Sequence, residues 1–121
     1  MILTKRAYDK IEPSDGCRVL VDRFWPRGIT KEELAIDYWL KAISPSNELR
    51  QWFNHKPERW TEFTQRYGKE LDSLKEVYEP ILKLAQDNCV TLIYAAKDRQ
   101  FNNATALKQY LDQKQKKPKK A

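Results

Sequence analysis

Two short stretches of this chain hold most of the side chains able to do chemistry. Asp22, Arg23, Trp25, Arg27 and Gly28 lie in one, and Lys97, Asp98, Asn102 and Asn103 in the other. Each stretch sets an acid beside a base. Arginine and lysine hold anionic ligands through charge-assisted hydrogen bonds, while a neighbouring carboxylate moves a proton or accepts from a ribose hydroxyl. Asp22 and Asp98 are therefore the candidate proton carriers, and Arg23, Arg27 and Lys97 the candidate anion binders. Trp25 either stacks its ring on a base or sugar or folds back as a lid over the core, and Arg27 is able to fork onto a phosphate or carboxylate. The competing reading of the whole set is structural: Asp22 pairs with Lys97 or Arg27 and ties neighbouring loops together.

His55 is the single histidine and falls between two predicted helices, where its ring reaches a neighbouring crevice as acid or base, or else serves as a surface or capping residue. Cys17 and Cys89 are far apart, with no Cys-x-x-Cys or Cys/His spacing, so an ordinary zinc site is not expected and no metal is assigned. Gly28 stands alone. Neither GxGxxG nor GxxxxGK occurs, so no nucleotide cofactor is implied. Trp39, Trp52 and Trp60 read as packing residues.

Strands and helices must bring the two stretches together. Met1 to Tyr8 is a plausible strand, followed by turn residues Pro13 to Gly16. Arg18-Val19-Leu20-Val21-Asp22 and Val90-Thr91-Leu92-Ile93-Tyr94-Ala95 are short continuous apolar runs, the pattern of strands buried on both faces of a parallel sheet. Thr30 and Glu33 have capping-box spacing, and Asp37 to Leu40 reads as a further strand. Ser44-Pro45-Ser46 opens a helix bearing Leu49, Trp52 and Phe53 on one face. From Pro57, the positions Trp60, Phe63, Tyr67, Leu71 and Leu74 recur at helical steps. Helix continues through Tyr78, Ile81 and Ala85, with a kink or a fresh start expected at Pro80, or a break near Asp72-Ser73. Asn102 or Asn103 caps a last helix.

The pattern predicts an α/β fold: a small three-layer sandwich, with a short, mostly parallel sheet and helices on both faces. Ligands bind at the carboxyl ends of the strands in such sheets, and both chemical stretches follow a predicted strand. Cys17 and Cys89 precede the same strands and so fall on the opposite edge.

At 121 residues, 40% hydrophobic and 12% aromatic, the chain suits one domain that folds without a staple. No run of about 18 apolar residues and no signal-peptide pattern occurs, so no membrane span is expected and the default compartment is the cytoplasm. The formal charge of +6 comes largely from Lys114 to Lys120; without the tail's lysines, 18 basic residues face 17 acidic ones. Residues 1–113 are expected to form the domain, and 114–121 a disordered lysine-rich tail. No feature sets an oligomeric state.

The strings RVLVDRFWPRG, WFNHKPERWTEFTQRY and LIYAAKDRQFNNATAL resemble the YeaO-like family of uncharacterised bacterial proteins, over roughly residues 1 to 113. That resemblance implies the same fold class and no established substrate, cofactor or reaction. Its polar and aromatic positions fall here on Asp22, Arg23, Trp25, Arg27, Gly28, His55, Trp60, Lys97, Asp98, Asn102 and Asn103. Distant relatives carry a cysteine-histidine-arginine string where this chain has Phe101-Asn102-Asn103, so thiol chemistry there does not transfer.

The leading expectation is a metal-independent enzyme acting on a phosphorylated or nucleotide-like small molecule. Asp22, Asp98 and His55 would be its catalytic groups, and Arg23, Trp25, Arg27, Gly28, Lys97, Asn102 and Asn103 would hold the ligand. The alternative is a noncatalytic ligand-binding or regulatory module. A third reading, nucleic-acid binding aided by Lys114 to Lys120, has against it the near-neutral body.

Overall fold

Strand β4 (Val90–Tyr94) is apolar or aromatic at every position but Thr91, and such a segment is stable only where both faces are covered. In the computed structural model, which describes residues 1–116, all five of its residues are buried. It is flanked by β1 (Ile2–Arg6) and β2 (Cys17–Leu20), and β3 (Tyr38–Trp39) adds to β2 in the order β1-β4-β2-β3. Every neighbouring pair is parallel: Ile2 and Cys17 flank Val90 from its two sides, and Val19 stands opposite Tyr38. All four strands therefore leave the sheet at the same edge.

One face carries the main core. Ile2, Val19, Val21, Val90, Leu92 and Tyr94 meet side chains of α2 (Asn47–Phe53), α3 (Trp60–Asp72), α4 (Lys75–Asp87) and α5 (Asn103–Lys116). The α3 stripe predicted from spacing is present, with Phe63, Tyr67 and Leu71 buried. Leu71, Leu92, Leu107 and Leu111 are fully shielded, and each contributes roughly 2 kcal/mol of transfer free energy. Tyr67 also donates its hydroxyl to the Ile43 carbonyl at 2.5 Å, fixing the turn that leads into Ser44 and Pro45.

The other face is thinner. Ala7, Leu20, Leu34 and Ile93 form a small cluster closed by Trp25, Ile29, Ile36 and Trp39, under the one-turn helix α1 (Lys31–Leu34). Thr30 and Glu33 cap α1 reciprocally, as their spacing predicts. By strand alternation, Lys5, Arg18 and Thr91 point to this face too. There Asp15 accepts from Lys5 Nζ at 2.7 Å and from Arg18 Nη1 at 2.6 Å, while Arg18 Nη2 reaches the Leu34 carbonyl. Helices thus cover both faces of the parallel sheet, but the three layers are unequal.

The helical break falls at Ser73 and Leu74, at the Asp72-Ser73 alternative and not at Pro80, through which α4 runs without a fresh start. Pro80 and Glu76 are both exposed, so the carbonyl deprived of its donor lies on the solvent side. Helix α5 includes Lys114 and Lys116, three residues into the segment expected as a tail; residues 117–121 lie outside the described residues. Among the described residues, no helix is long and apolar enough to cross a membrane.

Gly16 and Gly28 have similar positive φ, 63° and 73°, in different surroundings. A Cβ on Gly16 would lie 2.2 Å from the Cys89 carbonyl oxygen, whereas one on Gly28 would meet nothing within 4 Å. Gly28→Ala is expected to cost only the backbone strain, about 1–2 kcal/mol. Gly16→Ala adds a backbone clash beside the β2–β4 pairing, for a total of about 3 kcal/mol or more. Urea midpoints of the two variants check the order, and equal losses would contradict the tight approach at Gly16.

Candidate functional site

Parallel strands deliver their carboxyl ends, and the loops that follow them, to one edge, so a crevice forms where those loops diverge. Here it is a cleft of about 880 Å³. The loop after β2 supplies Asp22, Arg23, Trp25 and Arg27 to its wall; the loop after β4 and the start of α5 supply Lys97, Asp98, Asn102 and Asn103; His55 enters from between α2 and α3. Of the residues singled out in the sequence, Gly28 does not line it. Its positive φ reverses the chain so that the Ile29 carbonyl meets the Trp25 indole N–H, and its part is in the backbone.

Asp22 sits at the junction of these elements. Its Oδ2 accepts from the Ala95 backbone N–H at 3.0 Å, and its Oδ1 from Asn103 Nδ2 at 3.0 Å. The same Nδ2 donates to the Val21 carbonyl at 3.2 Å, and the Asp22 carbonyl accepts from Trp39 Nε1 at 2.8 Å. The expected structural partners, Lys97 and Arg27, make no ion pair with it among the described residues. Burial pushes the Asp22 carboxyl above its ordinary value of 3.8, against the opposing pull of the Asn103 and Ala95 hydrogen bonds.

Asp98 organises the loop after β4. Its Oδ1 accepts from the backbone N–H groups of Gln100 and Phe101, which hold its carboxyl below the ordinary value, with a smaller contribution from the charge of nearby His55. Asn102 is buried and fully engaged: its Nδ2 donates to the Asp98 carbonyl, and its Oδ1 caps α5 by accepting from Thr105 N–H. Asn102 lines the cleft, and both ends of its amide also serve the turn. His55 is exposed and takes φ 54°, directly after Asn54 at 46°, so two consecutive left-handed residues turn the chain out of α2.

Trp25 folds inward. Its ring packs edge-on against Trp39 at 5.4 Å and its N–H is engaged, and the residue still lines the cleft. The neighbouring Phe24, passed over in the sequence, is the exposed ring, 61% accessible, with the Arg50 guanidinium 5.4 Å from its centroid. The chain bends through residues 22–24, and nothing local in the sequence says which ring of the pair Phe24-Trp25 turns outward. Arg6, Tyr8 and Arg50 also line the cleft, together with Phe53, Phe63 and Phe101. Phe53 and Phe63 stack at 4.4 Å to form an apolar wall continuous with the main core. Arg50 carried no signal, since a lone arginine on the exposed flank of a helix is ordinary.

Five cationic side chains, Arg6, Arg23, Arg27, Arg50 and Lys97, thus surround two carboxylates. Arg6 Nε donates to the Ala96 carbonyl and Arg23 Nη2 to the Pro45 carbonyl, while Arg23 Nε is buried with no partner among the described residues. Arg27 and Lys97 are exposed, and no side-chain hydrogen bond engages either among the described residues. Cys17 and Cys89 lie at the opposite edge, where the Cys17 N–H meets the Cys89 carbonyl at 2.9 Å.

The chain has relatives. A family described as the inactive DUF488-N3 subclade matches residues 1–121. The uncharacterised protein YeaO of Escherichia coli strain K12 is 42% identical over 110 residues, which cover 91% of this chain and 96% of that protein. The uncharacterised protein Rv3073c of Mycobacterium tuberculosis strain H37Rv is 42% identical over 107 residues, 88% of this chain and 90% of its own. The resemblance to the YeaO-like family therefore holds. No solved structure matches the chain.

The shifts at Asp22 and at the other aspartates act on stability in different pH windows. Asp9, Asp15 and Asp98 have lowered values, so their contribution is present above 3.8 and lost as pH falls through the folded-state values. Exposed Glu33 behaves likewise below 4.5. Asp22 is raised, so the folded state binds its proton more tightly and stability declines as pH rises above 3.8 through the folded value. Between 4.5 and neutrality, the wild-type urea midpoint is expected to fall with pH and that of Asp22→Asn to stay flatter. Parallel curves would mean that Asp22 titrates as an ordinary aspartate.

Proposed function

The chain belongs to the inactive DUF488-N3 subclade, and we propose that it is a noncatalytic module that binds a phosphorylated small molecule with a planar or apolar body. The observation that carries this reading is the imbalance in the cleft. Five cations face two carboxylates, one of which is tied at both oxygens to Ala95 and Asn103. A phosphate neutralises such a cluster and takes up the guanidinium and ammonium donors left over. The rings of Phe24, Phe53, Phe63 and Phe101 offer apolar area for the remainder of the ligand.

Binding without turnover agrees with the state of the acid–base groups. Of the groups that would attack or shuttle protons, three are already engaged, Asp22 as above, Asp98 by two backbone donors, and Ser44 by donating its hydroxyl to the Lys41 carbonyl, while exposed His55 makes no side-chain hydrogen bond among the described residues. The word inactive in the family's description supports the same choice. An enzyme acting on a phosphorylated or nucleotide-like molecule is the second reading. One observation favours it: the raised carboxyl of Asp22 at the cleft wall, a property that suits a general acid.

Titration of the protein with inorganic phosphate and with adenosine 5′-monophosphate, followed by calorimetry and thermal shift, tests the proposal. Both are expected to bind and to raise Tm, with the nucleotide tighter, and Arg27→Ala and Lys97→Ala each to weaken binding about tenfold while leaving the free protein's Tm unchanged. Absence of binding, or binding indifferent to both substitutions, would refute it. Phosphorus NMR of the same mixtures is expected to show intact nucleotide; its conversion would establish the enzymatic reading instead.

A further inference from the structure

Asn103 offers the cleft something its arginines and lysine do not. Its Nδ2 places its two hydrogens on the Val21 carbonyl and on Asp22 Oδ1, both of which only accept. The orientation of the amide is thereby settled by chemistry, because a flipped amide would set oxygen against oxygen twice. The remaining atom, Oδ1, receives no hydrogen bond among the described residues. It is also reachable from solvent, since the buried side-chain nitrogens and oxygens without a partner among the described residues are Arg18 Nε and Arg23 Nε alone. Asn103 lines the cleft, so a fixed acceptor stands at the start of α5 amid donors.

We propose that Asn103 Oδ1 is a specificity-determining group of the cleft. On the reading of the cleft as a phosphate site, it requires an organic phosphate whose body presents an O–H or N–H donor to the start of α5, and disfavours a bare oxyanion there. The residue type follows from the two jobs. Aspartate has no hydrogen to give Val21 and Asp22, and serine has one at most, whereas the asparagine amide donates twice and still presents an acceptor. The immediate neighbour makes the contrast: Asn102 is buried and engages both its amide nitrogen and its amide oxygen with the polypeptide, so it holds no unengaged acceptor atom like Asn103 Oδ1. A ligand without the donor strips water from Oδ1 and leaves it unpaired, which discriminates far more strongly than the loss of a methyl contact.

Four probes separate the parts: inorganic phosphate, adenosine 5′-monophosphate, its 2′,3′-dideoxy analogue, which lacks the ribose hydroxyls, and purine riboside 5′-monophosphate, which lacks the exocyclic amine. Calorimetry on the wild-type protein is expected to show about a tenfold loss of affinity for one of the two subtractions. In Asn103→Ala that difference between the nucleotides is expected to vanish. Equal wild-type affinity for all three nucleotides overturns the inference and leaves the phosphate reading standing; failure of every probe to bind overturns both. Asn103→Ala also removes the ties to Val21 and Asp22, so its Tm is measured first, and if it does not fold the wild-type series alone decides.

Discussion

The carboxylate of Asp22 is the point on which the geometry of the cleft depends. Strand β2 ends at Leu20, yet pairing with β4 continues through the Val21 N–H to the Ile93 carbonyl before the chains part. Where they part, the Ala95 backbone N–H and the side-chain amide of Asn103, the first residue of α5, are left needing an acceptor. Asp22 supplies it, and through its own carbonyl it also holds the Trp39 indole of the next strand. One residue thus joins the ends of β2, β3 and β4 and the start of α5. Losing the side chain would leave the Ala95 N–H and the Asn103 amide unpaired at a half-buried junction, a cost that falls on the site rather than on the core.

The two faces of the sheet are fixed by different physics. Below the four long helices the packing is apolar and broad, and burial alone orders it. The opposite face receives only α1 and the short passage from β1 to β2, which is too brief for a full crossover helix. That passage brings Asp15 inward, and the cost of burying it is met by Lys5 and Arg18, with Thr91 donating to its carbonyl. Gly16 follows at once because the chain must run against the Cys89 carbonyl to enter the sheet. The cleft rim grows from this same thin layer: Tyr8 leaves β1 and donates to the Arg27 carbonyl, and Arg99 forms a two-bond pair with Asp9 across the loops after β1 and β4.

Most of the scaffold was legible because it is written in periodicity. Val90 to Tyr94 and the stripe Phe63, Tyr67, Leu71 give their element type from spacing, and Thr30 with Glu33 gives a helix start from side-chain chemistry. What stayed hidden depends on neighbours distant in sequence. Choosing between Asn102 and Asn103 as the cap needed the position of the Val21 carbonyl and Asp22, which claim the second asparagine and release the first for Thr105. Choosing which of Phe24 and Trp25 turns inward needed Trp39, whose ring supplies the partner that an indole fits better than solvent does. Pro80 misled for a related reason: the penalty for proline in a helix is smaller where the orphaned carbonyl reaches water, and exposure is a tertiary property.

The near-neutral body and the cationic cleft are compatible because the aspartates around the cleft are engaged locally while its rim cations are exposed. Asp9, Asp15, Asp22 and Asp98 all accept hydrogen bonds from the polypeptide or from a nearby cation, so each negative charge is matched close to its origin. Arg27, Arg50 and Lys97 stand outside that accounting at the rim, exposed, with long stems that reach past the loops. Counting charges along the chain averages the two populations and returns a number close to zero. The field a ligand meets is set by the charges left without a close counterpart, and the concave, ring-lined shape of the cleft concentrates it. A short carboxylate engages its own backbone as the chain turns, whereas a long cation extends beyond it; that difference in reach makes this edge of the sheet attractive to anions.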